Sequence, residues 1–340
     1  MTYEEVLERA REVLAPNCKV CPSCNGRACA GRLPGPGGKG TGATAQRNYS
    51  FLSEHVRLHQ RVLHEPFAPA CTTELFGRTL SAPILAAPIG MVSGNWSPLL
   101  NERSYAECVV KGTRMAGTLA VTGGGPTDDC FFEPLEVIRE NDGWGIPTIK
   151  PWAMELVVER FPLVEQVKAP AVVMDIDTAG LPHAVRSANP MVFKSRADLE
   201  RLAGMSAIPF VVKGLMTADE ARLAAEAGVY GIVVSNHGGR VMDCGLSTAE
   251  VLPEIRAAVG DSVKVFVDGG VRTGMDVFKM LALGADAVLI GRPYSIAAYG
   301  GGAQGVQLLT EKLIGELLDA MKMTGCAELA DIDRTRICVL

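Results

Sequence analysis

The chain has 340 residues, 48% of them hydrophobic and 21% charged, with a formal net charge of -5. That balance gives no global basic field, and the lysines and arginines are scattered, so nucleic acid is not an expected partner. No apolar run reaches the ~18 residues needed to span a bilayer, so no membrane span is expected either.

Residues Met1 to Leu14 carry Glu4, Glu5, Glu8 and Glu12 among apolar positions. This reads as an amphipathic helix rather than a secretory leader, which needs a basic start and an apolar centre. With ten cysteines and no export signal, the expectation is a reducing cytoplasm with free or metal-bound thiols. Four of those cysteines follow at once. Cys18, Cys21, Cys24 and Cys29 form C-x2-C-x2-C-x4-C, a spacing close to those that wrap thiolates around an iron–sulfur cluster or zinc. The alternative is a set of free thiols, or a redox disulfide, in a glycine-rich lid. Pro34 to Gly42 reads as a loop or linker. His55, His59 and His64 lie at spacings unsuited to one helix face and are read as surface residues.

From about residue 80 short apolar runs alternate with segments of helical period. The predicted strands are Ile84–Pro88, Thr118–Val121, Pro147–Lys150, Ala171–Ile176, Phe210–Lys213, Gly231–Ser235, Lys264–Val267 and Ala287–Ile290. Between them Asn101–Met115, Ala153–Val167, Thr217–Ala227, Thr248–Val259 and Met275–Leu283 are predicted helices, and Val306–Met323 is the last. Eight βα units with no second run of strands predict an α/β fold of the (β/α)8 TIM-barrel kind over a doubly wound sheet. The barrel would span residues 80–330, behind a Cys/Gly-rich extension over 1–79 that packs on it and before a tail over 331–340.

The chemistry-bearing residues lie where these strands end. Ser235-Asn236-His237-Gly238-Gly239-Arg240 follows the sixth strand and brings a proton acceptor and an anion clamp to the barrel's C-terminal face, where barrel enzymes carry their sites. Lys213 ends the fifth strand. Asp268-Gly269-Gly270-Val271-Arg272 and Gly291-Arg292 follow strands seven and eight. Glycines there expose backbone N–H groups to an anion and arginine adds a bidentate donor, which predicts a phosphate cradle.

Lys213-Gly214, Ser235 to Arg240, Asp243, Asp268 to Lys279 and Leu281 to Ala285 through Gly291-Arg292-Pro293 closely resemble the FMN-dependent α-hydroxy acid dehydrogenase/oxidase family. The match is strong over 205–325, looser over 80–180 and absent before about residue 45. The resemblance implies FMN at the strand C-termini and oxidation of a 2-hydroxy acid, lactate- or glycolate-like, to the 2-oxo acid. By resemblance His237 is the base, Asp177 the carboxylate that orients it, Lys213 the cation beside flavin N1/O2, and Arg240 the substrate-carboxylate arginine. Ala86, Ala87 and Pro88 correspond to backbone lying against the flavin ring, and Asp268, Gly270, Arg272, Gly291 and Arg292 to the ribityl-phosphate site. Thr122, Lys150, Ser235 and Gly269 complete the implied FMN contacts. The family's habit of forming tetramers or larger assemblies implies a homo-oligomer.

This chain departs from the family pattern near the substrate. Lys150 stands where a glutamine is usual, Trp152 where a substrate-contacting tyrosine is, and Thr122 or Gly123 where a serine is. The family's second arginine has no direct counterpart; His183 or Arg186 would compensate, with Trp152 and His183 as the expected additional substrate contacts. Two further readings stay open: an FMN-dependent isomerase of the type 2 isopentenyl diphosphate kind, and a flavin or metal electron-transfer or redox-sensing protein. The implied chemistry couples the His237 base to hydride transfer to flavin N5; a carbanion route would use the same histidine on the C–H proton.

Overall fold

The computed structural model describes residues 1–181 and 189–340. Eight parallel strands run β1 (Ile84–Ala86), β2 (Leu119–Ala120), β3 (Thr148–Ile149), β4 (Val172–Asp175), β5 (Phe210–Leu215), β6 (Gly231–Val234), β7 (Lys264–Val267) and β8 (Ala287–Ile290). Their order in the sheet is β2-β1-β8-β7-β6-β5-β4-β3. The two outer strands are tied by the parallel bridge Val121↔Ile146, where Ile146 N donates to Ala120 O at 2.9 Å and Thr122 N to Ile146 O at 2.8 Å. The sheet therefore closes on itself, as the eight-unit rhythm predicts.

Strand alternation decides what points inward. Leu85, Val173, Val211, Val233, Phe266 and Leu289 share the interior cluster, whereas Ile84, Ile149, Met174, Val212, Val234 and Val267 pack outward against the helices. Continuing the period of two, Lys150, Asp175, Lys213, Ser235 and Asp268 fall on inward positions at the C-terminal ends of their strands. A polar top layer thus follows from register alone. The opposite end is stoppered by a hairpin, Thr73–Leu75 with Arg78–Leu80, whose Phe76 lies 5.6 Å from the Phe266 ring and 5.4 Å from Tyr230.

Several predicted boundaries move by a residue or two, and two changes have a local cause. β5 runs on to Leu215 because a register shift at Gly214 (φ +111°) bends the strand; a Cβ there would lie 2.7 Å from the Asp177 side chain. The last helix is Arg292–Thr324 rather than beginning at Val306, with a kink at Gly302 (φ +59°) that masks the continuity in the helical pattern.

The extension packs on the barrel at both sides. The first helix, Tyr3–Leu14, is capped by Thr2 and Glu5 and buries Val6, Ala10 and Leu14. Gly300 lets it approach the last helix, since a Cβ at Gly300 would stand 2.1 Å from Val6 O. The tail is no separate appendage: Ile337–Val339 pairs antiparallel with Val56–Leu58 of the extension. His55, His59 and His64 are exposed, as expected.

Candidate active site

Above the polar top layer opens a cavity of about 1030 Å³, counting the part continuous with solvent. Its walls include Ala87-Pro88-Ile89-Gly90, Lys150, Lys213, His237, Arg240, Asp268-Gly269-Gly270, Arg272, Gly291 and Arg292.

The floor is a ring of buried charge. Lys150 Nζ donates to Asp175 Oδ2 at 2.5 Å, and Lys213 Nζ lies 3.4 Å from Asp268 Oδ2. His237 Nδ1 lies 3.2 Å from Asp177 Oδ1. Burial works against the Lys213 charge, but Asp268, Asp177 and Asp175 outweigh it and hold its pKa above the ordinary lysine value. Burial likewise opposes the Asp177 anion; His237, then Lys213 and Lys150, hold its pKa below the ordinary aspartate value. Among the described residues Asp175 Oδ1, Asp177 Oδ2 and Asp268 Oδ1 are buried without a hydrogen-bond partner. Asp268 lines the cavity, and an unused acceptor there is where a ligand's donor fits.

The turn carrying His237 is strained. His237 has φ +56°, a left-handed conformation uncommon outside glycine, and is followed by Gly238 at +63° and Gly239 at +79°. It is held by a buried amide pair: Asn48 Nδ2 donates to Asn236 Oδ1 at 2.8 Å, and Asn236 Nδ2 to Asn48 Oδ1 at 3.0 Å. Gly239 N also donates to Asn236 Oδ1, and His237 N to Ser235 Oγ at 3.0 Å. Ser235 thus acts through the His237 turn and is not on the cavity wall.

The rim carries three arginines and no matching acid: among the described residues none of Arg240, Arg272 and Arg292 has a carboxylate within 4.0 Å. Their partners are carbonyls and one amide. Arg240 donates to Gly35 O and, at 3.2 Å, to Asn95 Oδ1. Arg292 Nε donates to Pro36 O at 2.7 Å and its NH2 to Gly238 O at 3.0 Å. Arg272 Nε donates to Cys24 O at 2.9 Å and its NH1 to Val271 O at 2.7 Å. Burial first, and then the charge of Arg292, lower the pKa of Arg240 to about 10, so it stays cationic at neutral pH and lacks a counter-ion.

The segment read as a loop is therefore a strap across the mouth. Gly35 to Gly38 are buried, Gly35 N donates to Asn95 Oδ1 at 3.0 Å, and Lys39 N donates to Gly239 O at 2.8 Å. Its far end is fixed by Asp243, which accepts from Thr41 N at 2.6 Å, Thr41 Oγ1 at 2.8 Å and Ala43 N at 2.9 Å.

The phosphate-cradle glycines divide by cause. A Cβ at Gly270 would stand 2.0 Å from Asn48 O and one at Gly269 2.8 Å from Thr248 Oγ1, so packing of the extension demands the first and packing of a barrel helix the second. At Gly291 nothing is closer than 3.5 Å, which leaves its backbone open to the cavity.

Besides Ser235, three expected site positions, Trp152, Ala86 and Thr122, lie off the cavity wall. Trp152 is 1% exposed and packs edge-on against Phe131 with the Arg160 guanidinium 4.4 Å from its ring, away from the cavity. Just past the end of β3, it bridges to Met191, which lines the cavity, while Trp152 itself is not among the lining residues. Ala86 and Thr122 sit behind the wall, with Ala87 presenting the first strand's surface. His183 and Arg186 lie outside the described residues. Asn95, Asn48 and Asp175 were not anticipated; the only hint was Asp175 standing two residues before Asp177, at the end of the strand that the Asp177 turn follows.

These residues fit FMN: among the described residues Asp268 Oδ1 lacks a partner, Gly291 is open, and each rim guanidinium retains donors beyond those the carbonyls occupy. The comparisons agree. The pattern for the family described as FMN-dependent dehydrogenase matches residues 36–122 and 150–339. The chain is 32% identical to 4-hydroxymandelate oxidase of Amycolatopsis orientalis over 338 residues, covering 88% of this chain and 93% of that protein. It is 30% identical to an L-lactate dehydrogenase of Caulobacter sp. (strain K31) over 350 residues, covering 88% and 91%. A crystal structure of mandelate oxidase with benzoyl-formic acid superposes with a TM-score of 0.81 at 27% identity, covering 100% of this chain and 98% of that one. With barrel, charge ring, arginine rim and family pattern in agreement, the chain belongs to the FMN-dependent dehydrogenase family.

Proposed function

We propose that this protein oxidises a 2-hydroxy acid to the 2-oxo acid with FMN. The observation that carries the reading is His237, paired with Asp177, on the same cavity wall as an arginine that has no carboxylate partner. Relatives named for hydroxymandelate and lactate support the substrate class. Bound FMN supplies a two-electron acceptor. Lys213, Asp268, Gly270, Gly291, Arg272 and Arg292 would hold it, with Ala87 and Pro88 against its ring.

The protein's own part is proton handling and charge. Asp177 accepts from Nδ1–H of His237, which leaves Nε2 as the lone-pair nitrogen facing the substrate. Nε2 takes the substrate hydroxyl proton while Arg240 holds the carboxylate as a two-pronged donor. The floor favours this transfer: three aspartates against two lysines leave one negative charge beside His237, so a proton arriving on the imidazole neutralises the ring. Lys213 stays protonated and stabilises negative charge above the floor. The strap excludes water from the same space.

The departure at Lys150 does not disturb this scheme, because Asp175 neutralises the extra cation. Rim arginines also suit a diphosphate, as in the isomerase reading, but an imidazole–carboxylate pair facing the anion clamp favours proton abstraction from a hydroxy acid.

All ten cysteines are unpaired, which fits a reducing cytoplasm, and no helix among the described residues is long and apolar enough to cross a membrane. A homo-oligomer is the assembly we infer by family likeness. The test is anaerobic mixing of the flavin-loaded protein with a panel of 2-hydroxy acids, including lactate, glycolate and mandelate. Loss of the flavin's visible absorbance with at least one is expected; no bleaching by any would refute the proposal.

A further inference from the structure

The cysteine motif is untouched by this chemistry. It lies in residues 1–35, outside the segments that match the family pattern. Cys18, Cys21, Cys24 and Cys29 sit in a stretch with no regular helix or strand, between the first helix and the strap, and all four are partly exposed and unpaired. We propose that these four thiolates ligate an iron–sulfur cluster, of the four-iron kind, on the rim of the barrel beside the arginine cradle.

Four observations support the assignment. A backbone donor already reaches one thiol: Val20 (φ +44°) turns its N–H onto Cys18 Sγ at 3.4 Å. Such an N–H···S contact, two residues on, is how backbone supports a metal-bound thiolate.

The segment is also pinned. Cys18 N donates to Leu14 O at 2.9 Å, Arg272 holds Cys24 O at 2.9 Å, and a Cβ on Gly37 of the strap would stand 1.8 Å from Cys29 O.

Charge is matched next. Cys24 and Cys29 are near enough to Arg292 to feel its charge, and a four-iron cluster on four thiolates carries net negative charge that this rim lacks.

The separation of the thiols argues against zinc, and their spacing in the chain favours a cluster. Cys18 interacts electrostatically with the other three, yet among the described residues no three thiols come within 4.8 Å of one another. Zinc, with Zn–S bonds of about 2.3 Å, draws its sulfurs to within roughly 3.8 Å. A cluster puts iron and sulfide between the thiolates and holds them farther apart. The C-x2-C-x2-C spacing is likewise the one that bacterial clusters use, whereas zinc sites favour two well-separated cysteine pairs.

The inference is independent of the hydroxy acid reading. The experiment uses the full chain, purified anaerobically and, in parallel, reconstituted with ferrous iron and sulfide. Iron and acid-labile sulfide are counted against acid-released flavin, so cluster and flavin are scored separately. About four irons and four sulfides per chain are expected, with a paramagnetic signal on dithionite reduction. C21S and C24S should each lose the cluster and keep the flavin. Stoichiometric zinc without sulfide, an intrachain disulfide by mass, or protein that stays iron-free after reconstitution would each overturn the assignment. Should the variants fail to fold, the iron and sulfide content of the unaltered chain still decides.

Discussion

The floor and the rim of this cavity handle charge in opposite ways. On the floor each lysine has its own aspartate, and Asp177 has His237. On the rim three arginines meet, among the described residues, only carbonyls and Asn95. Pairing on the floor fixes side chains so that charge can shift between them with little rearrangement. Cations without counter-ions on the rim are free to exchange a backbone acceptor for an incoming anion. A structural role and a binding role can therefore be told apart by which partner a charge has.

The largest expected effect separates chemistry from binding. His237→Ala should retain FMN but reduce the rate of flavin bleaching by substrate by about 10²–10⁴-fold, measured by anaerobic stopped flow; unchanged bleaching would remove His237 from the base role. Lys150→Met should cost about 3–5 kcal/mol of stability, because Asp175 is left as an unpaired buried charge. Urea midpoints read this, and a shift under about 1 kcal/mol would mean that water already compensates Asp175.

The rim should behave otherwise. Arg240→Met should leave the urea midpoint nearly unmoved while weakening binding of a carboxylate inhibitor about 10–100-fold, the worth of hydrogen bonds to a charged group. If it destabilises as much as Lys150→Met, rim and floor are not different in kind.

The smallest effect concerns the strap. Asp243 is held down to about 2 by the Thr41 hydroxyl, with further help from backbone N–H groups including Thr41 and Cys244. Because the pKa is lowered on folding from 3.8, this anchoring is complete above about pH 4 and is lost as pH falls through about 2. At neutral pH, Asp243→Asn should speed proteolytic cleavage near Lys39 without changing flavin content.

Much of this was legible in the sequence because barrel strands are short apolar runs and their C-terminal residues stand next to them in the chain. Lys213, His237, Asp268 and Arg292 could be read in that way. Trp152 could not, since a residue just past a strand end can turn either inward or outward, and only its packing on Phe131 and Arg160 decides. The strap was equally hidden: glycine and proline announce irregular backbone but not what it covers. Asn95 and Asn48 escaped notice because an asparagine carries no local signal until a partner 145 or 188 residues away is known.

The sequence by itself determined the eight-unit barrel, the inward polar layer and the flavin-family chemistry, because each depends on short-range periodicity or on motifs confined to one turn. Only the tertiary structure decided which charges are paired, that residues 35–38 cap Arg240 and Arg292, and that the cysteine segment lies on the same rim. Those outcomes depend on contacts between residues 25 to 60 apart for Lys150 with Asp175 and His237 with Asp177, and more than 200 apart for the strap and the cysteine segment, where position along the chain carries no information about distance in space.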